Sequence, residues 1–253
     1  MIEYKSPSEM ELMRRAGAIT ALTIERLLDE VAPGMTTSDL DQIAERSIRS
    51  EGATPSFKGY KGFPASICTS LNEEVVHGIP AARRRIRDGD ILKLDVGAIW
   101  QGYHGDSAVS VFVGAPPSDV AEKLVRVTDE SLAAGISCLR PGNRLHDVGH
   151  AVQQVVEGAG FAVVREYVGH GVGRALHEDP QVPNYGEPGR GPEIRPGLVV
   201  AIEPMVNVGD WRTRVLDDGW TVVTADGTLS AHFEHTIAVT EDGPEVLTAR
   251  RGS

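Results

Sequence analysis

IRDGDILKLDV at residues 86–96 returns 108 residues later as IRPGLVVAIEP at 194–204, matching at Ile, Arg and Gly and setting Glu203 where the first copy has Asp95. Working outward, Pro33-Gly34 and Pro141-Gly142 keep the same offset, as do Asp39 and Asp147. Each Pro-Gly pair closes a stretch with apolar positions at helical spacing, residues 8–31 and 119–138. Each is followed by a shorter helical stretch. The first opens after the hydroxyls of Thr36-Thr37-Ser38 and stops at Gly52, and the second covers 146–158. Downstream, the second copy carries roughly twenty extra residues around NVGDWRTRVLDDGW (207–220), a length read from the repeat alignment. HGDSAV (104–109) then aligns with HFEHTI (232–237), which sets Glu234 on Asp106.

The duplicated unit therefore delivers a carboxylate at the same two strand positions in each half, and four acids converge if the halves pack about a pseudo-twofold axis. Residues 91–114, ILKLDVGAIWQGYHGDSAVSVFVG, read as two strands around a turn. In strand alternation Asp95 shares a face with Lys93, and Asp106 shares one with Ala108 and Ser110. Leu92, Leu94, Val96, Val109, Val111 and Val113 point the other way and call for helices over them. The opposite face becomes a polar concavity in which carboxylates repel one another unless divalent cations neutralise them.

The bulk properties narrow the rest. A chain of 253 residues with 41% hydrophobic and 24% charged residues buries a core without staples. Its net charge of −11 opposes non-specific binding to nucleic acid. Arg83-Arg84-Arg85, the one basic run, reads as a solvated turn. Two cysteines, Cys68 and Cys138, are too few for a disulfide framework and fit a reducing compartment. No apolar stretch approaches a membrane span, and MIEYKSPSEM lacks the apolar middle of a signal peptide, so the expected location is the cytoplasm.

Among the histidines, HDVGH (146–150) has the spacing of a zinc helix, but Asp147 stands where a metalloprotease places its glutamate base, and ordinary surface exposure explains the pair. GHGVG (169–173) lacks the strand-loop-helix context of a phosphate loop. Gly169, Gly171 and Gly173 instead leave backbone room around His170, and His177 opens an acidic, proline-rich loop in the half that supplies Glu203 and Glu234.

SLNEEVVHGIP (70–80), LKLDVG (92–97), GYHGDSAVSVF (102–112), GHGVGR with LHEDPQVPNYG (169–186), AIEPM (201–205) and AHFEHT (231–236) together resemble the type I methionine aminopeptidases. The resemblance runs nearly the whole chain in order. It implies the pita-bread α/β (α+β) fold, with curved antiparallel sheets covered by helices, in a single catalytic domain over 1–253 with pseudo-repeats near 8–114 and 119–243. It further implies two divalent ions, cobalt, manganese, iron or zinc, held by Asp95, Asp106, His170, Glu203 and Glu234. Of these, Asp106 and Glu234 resemble the bridging carboxylates. Glu203 becomes the candidate proton shuttle, His177 the stabiliser of the oxyanion or substrate amide, and His77 the contact beyond the scissile bond. The methionine pocket draws on Tyr60, Phe63, Cys68 and Trp220.

The implied activity is removal of the initiator methionine when the second residue is small. The implied partners are peptides and nascent polypeptides with an N-terminal methionine, with a transient contact to the ribosome, no specific nucleic acid and no membrane, the chain acting as a monomer. No zinc-finger extension is expected before the catalytic region. Leu176, where the family commonly has an aromatic, and Phe57, where it often has cysteine, leave the pocket shape open. Two alternatives compete. An X-Pro aminopeptidase, prolidase or creatinase usually needs a further N-terminal domain, and a metal-free binding relative would lack one of the five ligand residues, all of which are present.

Overall fold

The computed structural model describes residues 1–251. Its two halves pass through the same order of elements. Helices α1 (Pro7–Glu30) and α2 (Thr37–Ser50) precede the strands of the first half, and helices α3 (Asp119–Cys138) and α4 (Leu145–Gly158) precede most of those of the second. Both ends of α4 lie 108 residues beyond those of α2. The recurrence of Asp39 and Asp147 has a local cause: each carboxylate accepts the backbone N–H at the helix start, from Thr36 at 2.8 Å and from Arg144 at 2.7 Å.

Strands Ile91–Trp100 and Tyr103–Phe112 form a hairpin turned by Gln101 and Gly102, at φ 46° and 84°. Two left-handed residues give the turn whose twist matches the flanking strands. Asp95 faces Ala108 and Asp106 faces Gly97 across the ladder, so both carboxylates leave the same face. On the other face Leu92, Leu94, Val96 and Val109 are buried in one cluster with Ile19, Ile24 and Leu27 of α1 and Leu40 of α2. Helix α1 crosses this hairpin closely: a Cβ on Gly105 would stand 2.6 Å from the Gly17 nitrogen.

In the first half, Ile91–Trp100 is flanked by Tyr103–Phe112 on one edge and by Ile67–Leu71 and Thr54–Pro55 on the other, all antiparallel. The second half carries an antiparallel sheet in the order Gly243–Val246, His235–Thr240, Val199–Ile202, Gly169–Gly171, Glu178–Val182. The extra residues of the second copy supply strands Thr213–Val215 and Val222–Thr224, and the latter pairs with Glu74–Val76 of the first half. The insertion thus spans the two halves.

Two sequence readings need adjustment. Arg84 is no freely solvated side chain: it reaches Glu74 at 2.6 Å, while Arg85 donates to the Gly34 carbonyl. His146 and His150 are half-buried beside the 183–191 loop, where His150 Nδ1 lies 3.2 Å from the Gly186 oxygen. Both cysteines are free thiols. Among the described residues, no helix is long and apolar enough to cross a membrane.

Candidate metal centre

The two halves meet where Tyr103–Phe112 runs beside residues 232–236. Ala108 and Glu234 exchange both backbone hydrogen bonds, at 3.2 and 2.9 Å. Hydroxyls extend this short ladder: Ser107 donates to the Glu234 carbonyl at 2.6 Å, Ser110 to that of His232 at 2.7 Å, and Thr236 to that of Asp106 at 2.8 Å. Thr236 Oγ1 also accepts the Asp106 N–H at 2.9 Å. The seam therefore fixes Asp106 and Glu234 face to face, one from each half.

His170 joins them from strand Gly169–Gly171, and one donor atom each from Asp106, His170 and Glu234 lie within 4.8 Å of one another. Its Nδ1 is 3.0 Å from the Gly171 carbonyl, so Nδ1 carries the proton and Nε2 is left as a lone pair, 3.5 Å from Glu203. Burial keeps that imidazole neutral, with its pKa lowered to about 4. Glu203 follows strand Val199–Ile202, as Asp95 lies within Ile91–Trp100. The acids of both repeats converge on one volume.

Their electrostatics are unfavourable without a cation. Desolvation raises Asp95 to about 7. It also raises Asp106, Glu203 and Glu234 well above the carboxylate range, and each is raised further by its acidic neighbours. Among the described residues, no lysine or arginine pairs with any of the four, and Asp95 Oδ1 and Asp106 Oδ1 are buried with no hydrogen-bond partner. Lys93 shares their face but turns away, donating to the carbonyls of Asn72 and Ser230 at 2.8 Å each. Orphaned carboxylate oxygens beside a neutral imidazole lone pair fit a divalent cation by charge and by donor type.

The predicted site residues all line one cavity of about 180 Å³. The acids and His170 form its floor. Phe63, Cys68, Tyr60 and Trp220 pack with Phe57 and Leu176 into its apolar wall. The Phe63 and Trp220 rings meet edge to face at 5.1 Å. His177 stacks on Tyr60 and lies 4.0 Å, ring to ring, from His170, with Tyr60 Oη 2.9 Å from its Nδ1. His177 is held below the ordinary imidazole range, by desolvation first and His170 second. His77 sits at φ 61°, a left-handed conformation costly for a side-chain-bearing residue, and faces Trp220 and Tyr167.

Three cavity neighbours escaped the sequence reading. Lys61 lines the opening between Gly59 and Gly62, and Tyr167 packs on His77. His232 lies buried with neither ring nitrogen hydrogen-bonded to the described residues, Nε2 being 4.0 Å from Glu203. Its signal was present: it stands two residues before Glu234, on the same side of an extended chain.

The chain matches metallopeptidase family M24 over residues 11–241. It is 57% identical over 248 residues to methionine aminopeptidase 1 of Bacillus subtilis, covering 98% of this chain and 99% of that one. The methionine aminopeptidase of Thermotoga maritima superposes with a TM-score of 0.97 at 49% identity, over 99% of this chain and 100% of the other. The prolidase of Pyrococcus furiosus shares the fold, with a TM-score of 0.80 at 21% identity, over 97% of this chain but 65% of its own. The expected pita-bread architecture is the one observed, and the chain belongs to metallopeptidase family M24 and, within it, to the methionine aminopeptidases.

Proposed function

We infer that this chain removes the N-terminal methionine of peptides and nascent polypeptides whose second residue is small, by hydrolysis of the first peptide bond. The observation that carries the reading is one cavity with two unlike walls: an apolar pocket of aromatic rings and a buried thiol, against four carboxylates that, among the described residues, no lysine or arginine pairs with. A thioether suits the first wall, being apolar and polarisable. The high identity to methionine aminopeptidases supports the same substrate.

In this reading Asp95, Asp106, His170, Glu203 and Glu234 would hold two divalent cations, Asp106 and Glu234 reaching them from opposite sides of the seam between the halves. Bound there, cobalt, manganese, iron or zinc would polarise the scissile carbonyl and lower the pKa of a water. The chain's own groups do the rest. Glu203, deep in the site, accepts and returns a proton at its carboxylate. Tyr60 Oη lies within hydrogen-bond reach of His177 Nδ1; in this reading the tyrosine donates, so that Nε2 carries the proton and donates to the developing oxyanion or holds the substrate amide. His77, braced by Trp220 and Tyr167, approaches the peptide beyond the scissile bond and limits the side chain that fits there.

The test is a peptide panel with the metal-loaded chain. Met-Ala-Ser and Met-Gly-Ser should be cleaved, Met-Leu-Ser and Leu-Ala-Ser at least about a hundredfold more slowly, and Xaa-Pro dipeptides not at all. Cleavage of Xaa-Pro dipeptides in preference to Met-Ala-Ser would move the chain to prolidase-like chemistry.

Metal affinity should depend on pH with a definite sign. The raised carboxylates hold protons near neutrality, and a cation must displace them. Raising the pH removes those protons without the cation's help, so binding tightens by about tenfold per pH unit for each proton displaced. The gain ends once the carboxylates ionise unaided. Calorimetric titration of manganese into the metal-free chain, in buffers of different ionisation enthalpy between pH 6 and 8, measures both the affinity and the protons released.

A further inference from the structure

His177 sits on a segment with little backbone support. Residues 173–177 lie between strands and form no ladder; Gly173 N–H turns back to the Ala175 carbonyl within the segment, and the backbone tie to another element is His104 N–H to the Gly173 carbonyl. Leu176 fills the cavity wall from this segment, while Arg174 and Glu178 leave it on the other side. There the chain's first residues meet them.

Lys5 lies on that outer side and is only 7% exposed, although it precedes the first helix in what reads as a solvated N-terminus. Its Nζ donates to Glu178 Oε2 at 2.6 Å, and Glu178 Oε1 accepts the Ala175 N–H at 3.0 Å, two residues before His177. The Lys5 backbone N–H is fixed in turn on the Gly197 carbonyl at 2.7 Å. The space is close-fitting: a Cβ on Gly173 would stand 2.5 Å from both Lys5 Nζ and Glu178 Oε1. A second strut runs parallel to the first. Arg174 lies over the Tyr103 ring at 4.6 Å and within 3.7 Å of Glu9, which accepts the Tyr103 hydroxyl at 2.7 Å and caps α1 through Ser6.

We propose that Lys5 is a positioning residue for the aminopeptidase reaction: through Glu178 it clamps the 173–178 segment and holds the His177 ring against Tyr60 and His170. A buried ammonium bonded to a mostly buried carboxylate resists displacement, because separating the two strands a charge. Cutting that contact frees the segment to shift by fractions of an ångström, and a donor aimed at a developing charge loses its effect at such displacements. The proposal rests on the aminopeptidase reading and on the place given to His177 in it.

The experiment compares Lys5→Met, Lys5→Arg and Glu178→Gln with the parent, each as the full-length chain loaded with manganese and given Met-Ala-Ser. Lys5→Met should lower kcat by tenfold or more with KM within about twofold and unchanged manganese content, and Lys5→Arg should recover most of the loss. Should Lys5→Met fold poorly, Glu178→Gln keeps an acceptor for the Ala175 N–H, weakens the charge pair, and should give the same split. A second readout needs no turnover. In ¹H–¹⁵N spectra of the histidine rings of the metal-free chain, the His177 signal should be a single sharp tautomer in the parent and broadened or mixed in Lys5→Met. A parent that fails on Met-Ala-Ser counts against the aminopeptidase reading, whereas the ring spectra still judge the clamp. A kcat within twofold of parent in Lys5→Met, or an unaltered His177 signal, overturns the proposal.

Discussion

Asp106→Asn and Glu234→Gln should each reduce cleavage of Met-Ala-Ser by about a thousandfold or more, with less than two equivalents of metal retained. The amide matches the carboxylate in shape but removes one unit of charge from a cluster that, among the described residues, pairs with no lysine or arginine. A bound cation acting as Lewis acid supplies several kcal/mol of transition-state charge stabilisation, and losing about 4 kcal/mol of it corresponds to roughly three powers of ten in rate. The metal-free proteins should behave in the opposite sense. There each substitution removes a carboxyl that the fold must bury either charged or newly protonated, with desolvation the first cause and acidic neighbours the second, so the metal-free variants should melt no lower than the metal-free parent. Adding manganese should then raise Tm strongly in the parent and weakly in the variants. A variant that melts lower without metal has lost activity through its fold. One that keeps full activity with two bound ions removes the shared-ligand assignment.

That pairing of opposite effects follows from a feature the sequence carried openly. The duplication preserved positions with local physical demands: the capping aspartates Asp39 and Asp147, the Pro-Gly helix ends, and the carboxylates within or immediately beside corresponding strands. Period-two alternation placed Asp95 and Asp106 on one face, and the ladder register does the same. The seam between the halves was not legible. Ser107, Ser110 and Thr236 are ordinary strand residues until the second half lies against the first and their hydroxyls substitute for ladder bonds. Nor could composition distinguish Lys5, buried against Glu178, from the exposed lysines, since its burial depends on a segment 173 residues away. Lys61 and Tyr167 were missed for the same reason: the cavity is assembled from strands, turns and a loop that meet only in three dimensions. Contacts of high sequence separation leave no periodic trace, whereas duplicated backbone and charge constraints do.

His177→Ala should lower kcat by about a hundredfold to a thousandfold, the scale for losing one donor to a developing oxyanion. It should leave both metal equivalents in place. The separation is sharp because two histidines lie ring against ring in the same cavity, with centroids 4.0 Å apart, and His170 rather than His177 stands in the group of donors that could hold a metal ion. His170 turns Nδ1 to the Gly171 carbonyl and keeps a bare Nε2 among the acids, whereas His177 engages Tyr60 through Nδ1. His170→Ala should therefore release metal, and His177→Ala should not. Tyr60→Phe refines the point. It retains the ring stacked on His177 but removes the hydroxyl that selects the tautomer, so kcat should fall by roughly tenfold, less than on deleting the imidazole, again without metal loss. Metal analysis and steady-state kinetics on the three variants check the assignment together. If His177→Ala loses metal in proportion to activity, the two imidazoles have exchanged roles, and the donor to the oxyanion must be sought at His77, which lines the same cavity.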